Sequence, residues 1–190
     1  MRTRSNIINE KSDIRLGSIL LAKPFWQEDI YSRSVILLID LSADGSTGII
    51  LNKMSNLTVN DALPEMEHPA PLYYGGPVNK KIISYVHGNQ AFPDSYYLGN
   101  GLFWGGSYEY LLDMVELGKL NLDEYHFSAG FVQWERGELR SELNEDKWWV
   151  SEISKQELFV LPSENLWEEK LVEDNHPYGL FNLHPDPSLN

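Results

Sequence analysis

The sequence predicts a single α+β domain, built on a mixed, largely antiparallel sheet with flanking helices. The first observation is size, because 190 residues with 42% hydrophobic and 23% charged positions are typical of one ordinary globular domain. The second is a series of short segments rich in apolar, β-branched and aromatic residues, joined by tight turns. The third is a small set of amphipathic segments with recognisable helix caps.

Two short apolar runs begin the predicted sheet. Residues 17–22 and 35–40 are continuous rather than alternating, which is typical of strands buried on both faces, so we place both in the middle of the sheet. The turn cluster at residues 42–46 leads directly into residues 47–52. This arrangement predicts an antiparallel hairpin with a five-residue connection.

Further strands are predicted from aromatic and β-branched residues or from alternation. They are residues 71–74, 82–87, 125–134, 148–150 and 158–161. Gly75, Gly76 and Pro77 separate the first two. If Trp148 and Trp149 lie on a strand, their side chains point to opposite faces.

Two helices carry clear end signals. Thr58 is predicted to cap a short helix at residues 59–63, with an aspartate at the third helical position completing a capping box. Ser107 is predicted to cap a longer helix at residues 108–117, and Gly118 follows it at the position that favours a left-handed C-cap. The longer helix should cover the core.

The remaining segments complete a one-domain organisation. Two more helices are predicted, at residues 135–143 and, capped by Ser163, at residues 164–171. The tail from His176 contains three prolines and predicts an extended strap. Residues 1–13 are interpreted as a flexible N-terminal arm, and residues 14–190 as the domain.

Composition excludes several classes of chemistry. The chain has no cysteine, which removes disulfides, thiolate metal sites and cysteine nucleophiles, and is compatible with a reducing compartment. No apolar run of signal-peptide length follows the N-terminal arginines. The longest apolar stretch, residues 35–39, is far shorter than a membrane span. We therefore expect a cytoplasmic protein without membrane association.

The charge balance disfavours direct binding to nucleic acid. The formal net charge is −13, from 15 basic and 28 acidic residues, and no segment collects lysines and arginines into a stripe. Residues 135–174 contain twelve acidic and five basic side chains, interleaved with tryptophan and leucine. We interpret them as a solvated outer face, with a basic partner as the alternative.

No catalytic residue, metal ligand or cofactor is predicted. The five histidines, His68, His87, His126, His176 and His184, show no ligand spacing with one another or with a carboxylate. A Gly-x-Ser-x-Gly nucleophile motif is absent, and Ser107 after its two glycines is better explained as a helix cap.

The candidate ligand-binding residues are Arg33, Asn52, Gly75 and Gly76. Two glycines after an aromatic strand let the backbone approach a partner closely, and Asn52 ends a strand that could reach the same rim. Arg33 would supply a cation for an anionic ligand. The alternative is a tight turn requiring positive φ, with Asn52 bonded to nearby backbone.

Six segments, taken in order across residues 14–190, resemble the YqgE/AlgH family. The matching segments are residues 17–22 followed by Pro24, residues 31–38, 48–52, 74–78 and 130–134, and Glu138-Leu139 leading to Trp148-Trp149. The family usually has a histidine near Asp40 and Leu41, and a Gln-Leu-Glu run where this chain has Glu138-Leu139-Arg140. The resemblance implies a mixed α+β fold, a bacterial cytosolic location and the family label of transcriptional regulator.

Two functional hypotheses follow. The first is a non-enzymatic regulatory or interaction protein with a protein partner, acting without direct DNA binding. It rests on the family label, the missing catalytic motifs and the abundance of aromatic residues. The alternative is a small-ligand-binding protein, or an enzyme of unassigned class, that uses the glycine-rich turns.

Overall fold

A computed structural model describes residues 14–24, 30–66, 69–90, 92–161 and 163–177. Ten strands in these residues form one sheet. They are β1 (Ser18–Ala22), β2 (Val35–Leu41), β3 (Gly45–Ile50), β4 (Met54–Thr58), β5 (Pro71–Tyr74), β6 (Val78–His87), β7 (Tyr96–Gly99), β8 (Leu102–Trp104), β9 (Tyr125–Glu135) and β10 (Trp148–Glu152). The helices are α1 (Val59–Ala62), α2 (Tyr108–Glu116), α3 (Glu138–Asn144), α4 (Lys155–Val160) and α5 (Leu166–Glu173).

The sheet is mixed and largely antiparallel. Its main path runs β10-β1-β2-β3-β9-β6-β8-β7, and β5 lies beside β9 and pairs with β4. Among the described strands, the parallel pairing is β5 with β9, and the other pairings are antiparallel. The predicted fold class, a single α+β domain with this kind of sheet and flanking helices, is confirmed.

The sheet curls around its largest apolar cluster. Side chains from strands far apart in the sheet order meet there, including Ile19 of β1, Val86 of β6 and Leu98 of β7. A sheet can bring its first and last strands onto one cluster only if it bends, which the normal twist of strands favours. Helices α4 and α5 close this side with Leu158 and Trp167. The curled sheet and these two helices therefore share one core.

The opposite face carries two smaller clusters. Phe127 of β9 packs with Leu111 of α2, and Val132 packs with Leu139 of α3. Between these positions β9 contains Gly130 with a φ of 76°, at a shift in the pairing register with β6. Side chains therefore face the same side at residues 127 and 132, although simple alternation would separate them. Helices thus cover both faces of the sheet.

Most predicted elements are present. Strands β1 and β2 lie inside the sheet and β1 is buried throughout, as the continuous apolar runs predicted. Strands β2 and β3 form the predicted hairpin with a shorter connection, residues 42–44. At the start of α1, the Asp61 carboxylate accepts hydrogen bonds from the Thr58 N–H and hydroxyl. Ser107 caps α2, and Gly118 has a φ of 61°.

The predicted strand at residues 158–161 is wrong, because these residues belong mostly to α4. The local capping box explains the difference. The Ser154 hydroxyl accepts from the Glu157 N–H, and the Glu157 carboxylate accepts from the Ser154 N–H at 2.7 Å. This cap starts a helix that places Leu158 in the core. Strands β4, β7 and β8 were not predicted.

The ends of the predicted domain fall partly outside the described residues. Of the proposed C-terminal strap, His176 and Pro177 are described, and His176 stacks on Trp149 at 4.4 Å. The predicted arm, residues 1–13, and residues 178–190 lie outside. Trp148 and Trp149 face opposite sides of the sheet, as predicted. Within the described ranges, no helix has the length and apolar character needed to cross a membrane.

A buried lysine joins α4 to α5. The Lys170 ammonium is almost fully buried, and it donates to Glu157 at 2.9 Å and to Glu173 at 2.6 Å. Burial acts to raise the pKa of Glu157, but hydrogen bonds from Ser154 and Lys170 outweigh it and lower the pKa from 4.5 to about 2. The folded state therefore favours the charged form of this carboxylate.

We expect Glu157 to contribute stability that is lost in acid. Because its pKa is lower in the folded state, the contribution is complete above pH 4.5 and disappears as the pH falls toward 2. Urea unfolding across this range should show a shallower acid loss for Glu157→Gln than for the wild type. Glu164→Gln, which changes an exposed glutamate, is the control. Equal pH dependence in all three proteins would contradict this assignment.

Candidate functional site

The structure brings the predicted ligand-binding residues into one region. The Asn52 side chain accepts a hydrogen bond from the Val35 N–H at 2.9 Å and donates to the Arg33 carbonyl at 2.8 Å. The Gly75 carbonyl accepts from the Ile50 N–H at 2.9 Å, so the glycine turn adjoins the strand that leads to Asn52. The Asn52 side chain thus links the start of β2 to the segment that follows β3.

The Arg33 side chain points toward α5. Its guanidinium lies 3.2 Å from a Glu168 carboxylate oxygen and 5.6 Å from the Trp167 ring centroid. Both groups of this ion pair remain substantially exposed. An anionic ligand at Arg33 would therefore compete with Glu168 for the same cation.

The Gly75-Gly76 turn packs directly against β9. A Cβ on Gly75 would lie 2.2 Å from the Gly130 carbonyl oxygen, and one on Gly76 would lie 2.2 Å from the Phe131 carbonyl carbon. Both glycines are required by close backbone packing. Ligand binding by Arg33, Asn52, Gly75 and Gly76 stays a prediction, while these contacts give each residue a structural role.

His87 uses both of its ring nitrogens. Nδ1 accepts from the Asn89 N–H at 3.2 Å, which leaves the proton on Nε2 to be donated to the Gly105 carbonyl at 3.1 Å. Burial lowers the pKa of His87, although the two hydrogen bonds oppose that change. The neutral ring is therefore a structural link between β6 and the segment after β8.

His126 lies in the interior. Burial lowers its pKa to about 3, and its ring stacks on Tyr73 with centroids 4.0 Å apart. Its Nε2 atom has no hydrogen-bond partner among the described residues. In the same described ranges, no group of three or more histidine, aspartate and glutamate side chains is arranged to hold a metal ion.

Among the described residues, the most exposed aromatic side chains lie on β7, at one end of the sheet path. Tyr96 and Tyr97 are 66% and 61% exposed. Neighbouring residues of a strand point to opposite faces, and each tyrosine contacts an aromatic ring of β8 on its own face. Tyr96 lies 5.8 Å from Trp104, and Tyr97 lies 5.0 Å from Phe103, between ring centroids. We call these four residues the β7 edge.

A cleft adjoins the β7 edge. It has a volume of about 400 Å³ and is lined by Gly88, Gln90, Tyr97, Gly101, Phe103 and Lys155. We call it the Lys155 cleft. A Cβ on Gly88 would lie 2.4 Å from the Lys155 Cε, so this glycine lets the lysine side chain cross the end of β6.

Neither the β7 edge nor the Lys155 cleft was predicted from the sequence. The signal for β7 and β8 was Asn100-Gly101 between two aromatic segments, a strong indicator of a two-residue hairpin. Both residues have the positive φ that such a turn requires, 51° and 78°. The approach of Lys155 to this hairpin had no local signal, because it depends on a contact between distant parts of the chain.

The fold defines a class of α+β proteins with a curled, largely antiparallel sheet and helices on both faces. The chain belongs to the AlgH-like family, whose model matches residues 19–178. A UPF0301 protein from Cytophaga hutchinsonii is 31% identical over 178 residues, covering 92% of this chain and 98% of the relative. A UPF0301 protein from Parabacteroides distasonis is 32% identical over 179 residues, covering 92% and 90%.

Two solved structures share the fold. The crystal structure of a protein from Corynebacterium diphtheriae matches with a TM-score of 0.77 and 24% identity, covering 91% of this chain and 94% of that one. The solution structure of the AlgH protein from Pseudomonas aeruginosa matches with a TM-score of 0.71 and 22% identity, covering 98% and 99%. The family and the fold are therefore established for this chain.

Proposed function

We propose that this protein is a non-enzymatic regulatory protein of the bacterial cytosol that binds an extended segment of a protein partner along the β7 edge. The observation that carries the proposal is the pair of exposed tyrosines on a terminal strand of the sheet. The proposal assigns regulation to contacts with another protein and excludes direct contact with DNA.

The geometry of β7 supports binding of an extended segment. Within the described residues, β7 pairs with β8 on one side and with no strand on the other, so backbone groups along its outer side can pair with an added strand. Gly17 packs against the Leu98 carbonyl, which limits the available stretch to the part that carries Tyr96 and Tyr97. An added strand there would have an aromatic pair on each face.

Tyrosine suits this role energetically. It buries a large apolar ring while its hydroxyl group stays hydrated or hydrogen-bonded, and it is enriched in the energetically dominant positions of interfaces. Because Phe103 and Trp104 support the two tyrosines from behind, little further ordering of the rings is needed on binding. The β7 edge is thus a preorganised surface.

Charge supports the exclusion of DNA. With a net charge of −13, the chain would repel a phosphate backbone. Several cations that could contact phosphate are already paired with carboxylates in the structure. They are Arg15, Lys23, Arg33, Lys147, Lys155 and Lys170.

Replacing both tyrosines should strongly reduce partner capture. We expect Tyr96→Ala/Tyr97→Ala to recover at least about tenfold less partner than the wild type in cross-linked affinity capture from native extract, since hot-spot aromatic residues contribute about 2 kcal/mol or more each. The matched control is Met54→Ala/Leu57→Ala, which removes two side chains of similar exposure, 58% and 55%, from the separate strand β4.

The site of contact can be measured directly on the captured complex. Amide hydrogen exchange should slow in the complex at the one of residues 96 and 97 whose N–H points away from β8, because added-strand pairing protects the outer backbone groups. If the tyrosine and control variants capture the same proteins in equal amounts, or if β7 gains no protection, the proposal is wrong.

A further inference from the structure

We propose that the Lys155 cleft binds a neutral planar heteroaromatic ring of the nucleobase class, presented as a free base or nucleoside. The cleft volume of about 400 Å³ lies in the range of small-molecule sites. This inference rests on the shape and polarity of the cleft and does not depend on strand addition at the β7 edge.

The aromatic wall favours a flat ring. The Tyr97 and Phe103 rings have centroids 5.0 Å apart and planes inclined by 47°. Phe103 is held in turn against the buried His87 ring, with centroids 5.8 Å apart and planes inclined by only 14°. The wall is therefore supported from inside the protein. Because its two rings are inclined by 47°, a flat ligand ring can stack on one of them and contact the other at an angle, without first ordering the side chains.

The polar wall favours a ligand with acceptors on its ring edge. The Lys155 ammonium donates to Glu124 at 2.9 Å and to the Gly88 carbonyl at 3.3 Å. Within the described part of the chain it has these two acceptors, which leaves one of its three N–H donors for a ligand oxygen or nitrogen. Gln90, exposed at the rim, offers an amide donor and acceptor. A nucleobase edge carries the matching groups.

The charge of the cleft favours a neutral nucleoside over its phosphorylated form. Glu124 already neutralises Lys155, so an anionic ligand would meet a cleft without excess positive charge on a chain of net charge −13. A phosphate group would have to displace Glu124 or lie close to it, at an electrostatic cost. A neutral nucleoside needs only the remaining donor and the stacking wall.

The experiment titrates the full chain with adenosine, uridine and adenosine 5′-monophosphate, followed by amide shifts in ¹H–¹⁵N spectra. We expect saturable shifts at Gly88, Gln90 and Gly101 with at least one nucleoside, and weaker binding of the monophosphate. Gln90→Ala and Lys155→Gln should each weaken nucleoside binding by about fivefold, the effect of losing one ligand hydrogen bond.

The matched control is Leu117→Ala, because Leu117 is exposed and does not line the cleft. It should leave nucleoside affinity unchanged. Because the titration contains no protein partner, a failure of this inference is distinguishable from a failure of partner binding. Three outcomes would overturn the inference: no saturable shift with either nucleoside, tighter binding of the monophosphate, or affinities that Gln90→Ala and Lys155→Gln both leave unchanged.

Discussion

Replacing Gly130 by alanine should destabilise the fold by about 4 kcal/mol, because two costs combine at this position. Its φ of 76° is unfavourable for any residue with a Cβ. The added atom would also lie 2.5 Å from the Gly76 carbonyl oxygen and 2.9 Å from the Val78 carbonyl oxygen. These contacts are with backbone, which cannot move aside as the end of a flexible side chain can.

Gly118→Ala is the matched control, because it measures only the free-energy cost of a Cβ at positive φ. Gly118 has a similar φ of 61°, but a Cβ there would have no atom within 4 Å. We expect a loss of only about 1 kcal/mol from this variant. Urea unfolding followed by far-ultraviolet circular dichroism measures both. Equal losses of stability would show that the close backbone packing around Gly130 contributes nothing.

Glu142→Ala should lower the free energy of unfolding by about 3 kcal/mol, because one carboxylate oxygen accepts hydrogen bonds from two buried indoles. The Trp134 and Trp148 Nε1–H groups both donate to Glu142 Oε2 at 2.8 Å. Each tryptophan is nearly fully buried, so neither N–H can turn to water when the acceptor is removed. Both buried N–H donors would lose this acceptor between α3 and the sheet.

Two variants separate this effect from the loss of a surface charge. Glu142→Gln keeps an acceptor oxygen and should retain most of the stability. Glu145→Ala removes the neighbouring carboxylate, which pairs with Lys147 at the surface, and should have a much smaller effect. The same urea unfolding measurement applies. If Glu142→Ala and Glu145→Ala lose equal stability, the two indole hydrogen bonds are not the cause.

The parts of the fold that could be predicted carry their signals within a few residues. Thr58 and Ser107 directly precede their helices. Each forms its capping hydrogen bond with a residue three positions further along, within one helical turn. Strand β1 is apolar along its whole length because both of its faces are buried. The strand predicted at residues 158–161 is wrong, because the capping box of Ser154 and Glu157 starts a helix there.

The candidate site likewise contains features that the sequence can predict and one that it cannot. Gly75 and Gly76 could be singled out because glycine pairs mark unusual backbone, and the structure shows backbone packed where their side chains would be. The β7 edge could have been found from the Asn100-Gly101 hairpin signal. The Lys155 cleft could not, because Lys155 meets Gly88 across 67 positions of sequence.

The sequence by itself determined the α+β class, most strands, the principal helix caps and an acidic composition that opposes phosphate binding. The fold class, the strands and the caps depend on local residue spacing, and the acidic composition is a sum of charges over the chain. Folding alters neither. Only the tertiary structure decided that β9 lies at the centre of the sheet, that β7 lies at its edge, and that Lys155 adjoins Phe103. Those outcomes depend on which distant segments pair, and local patterns do not encode the choice of partner.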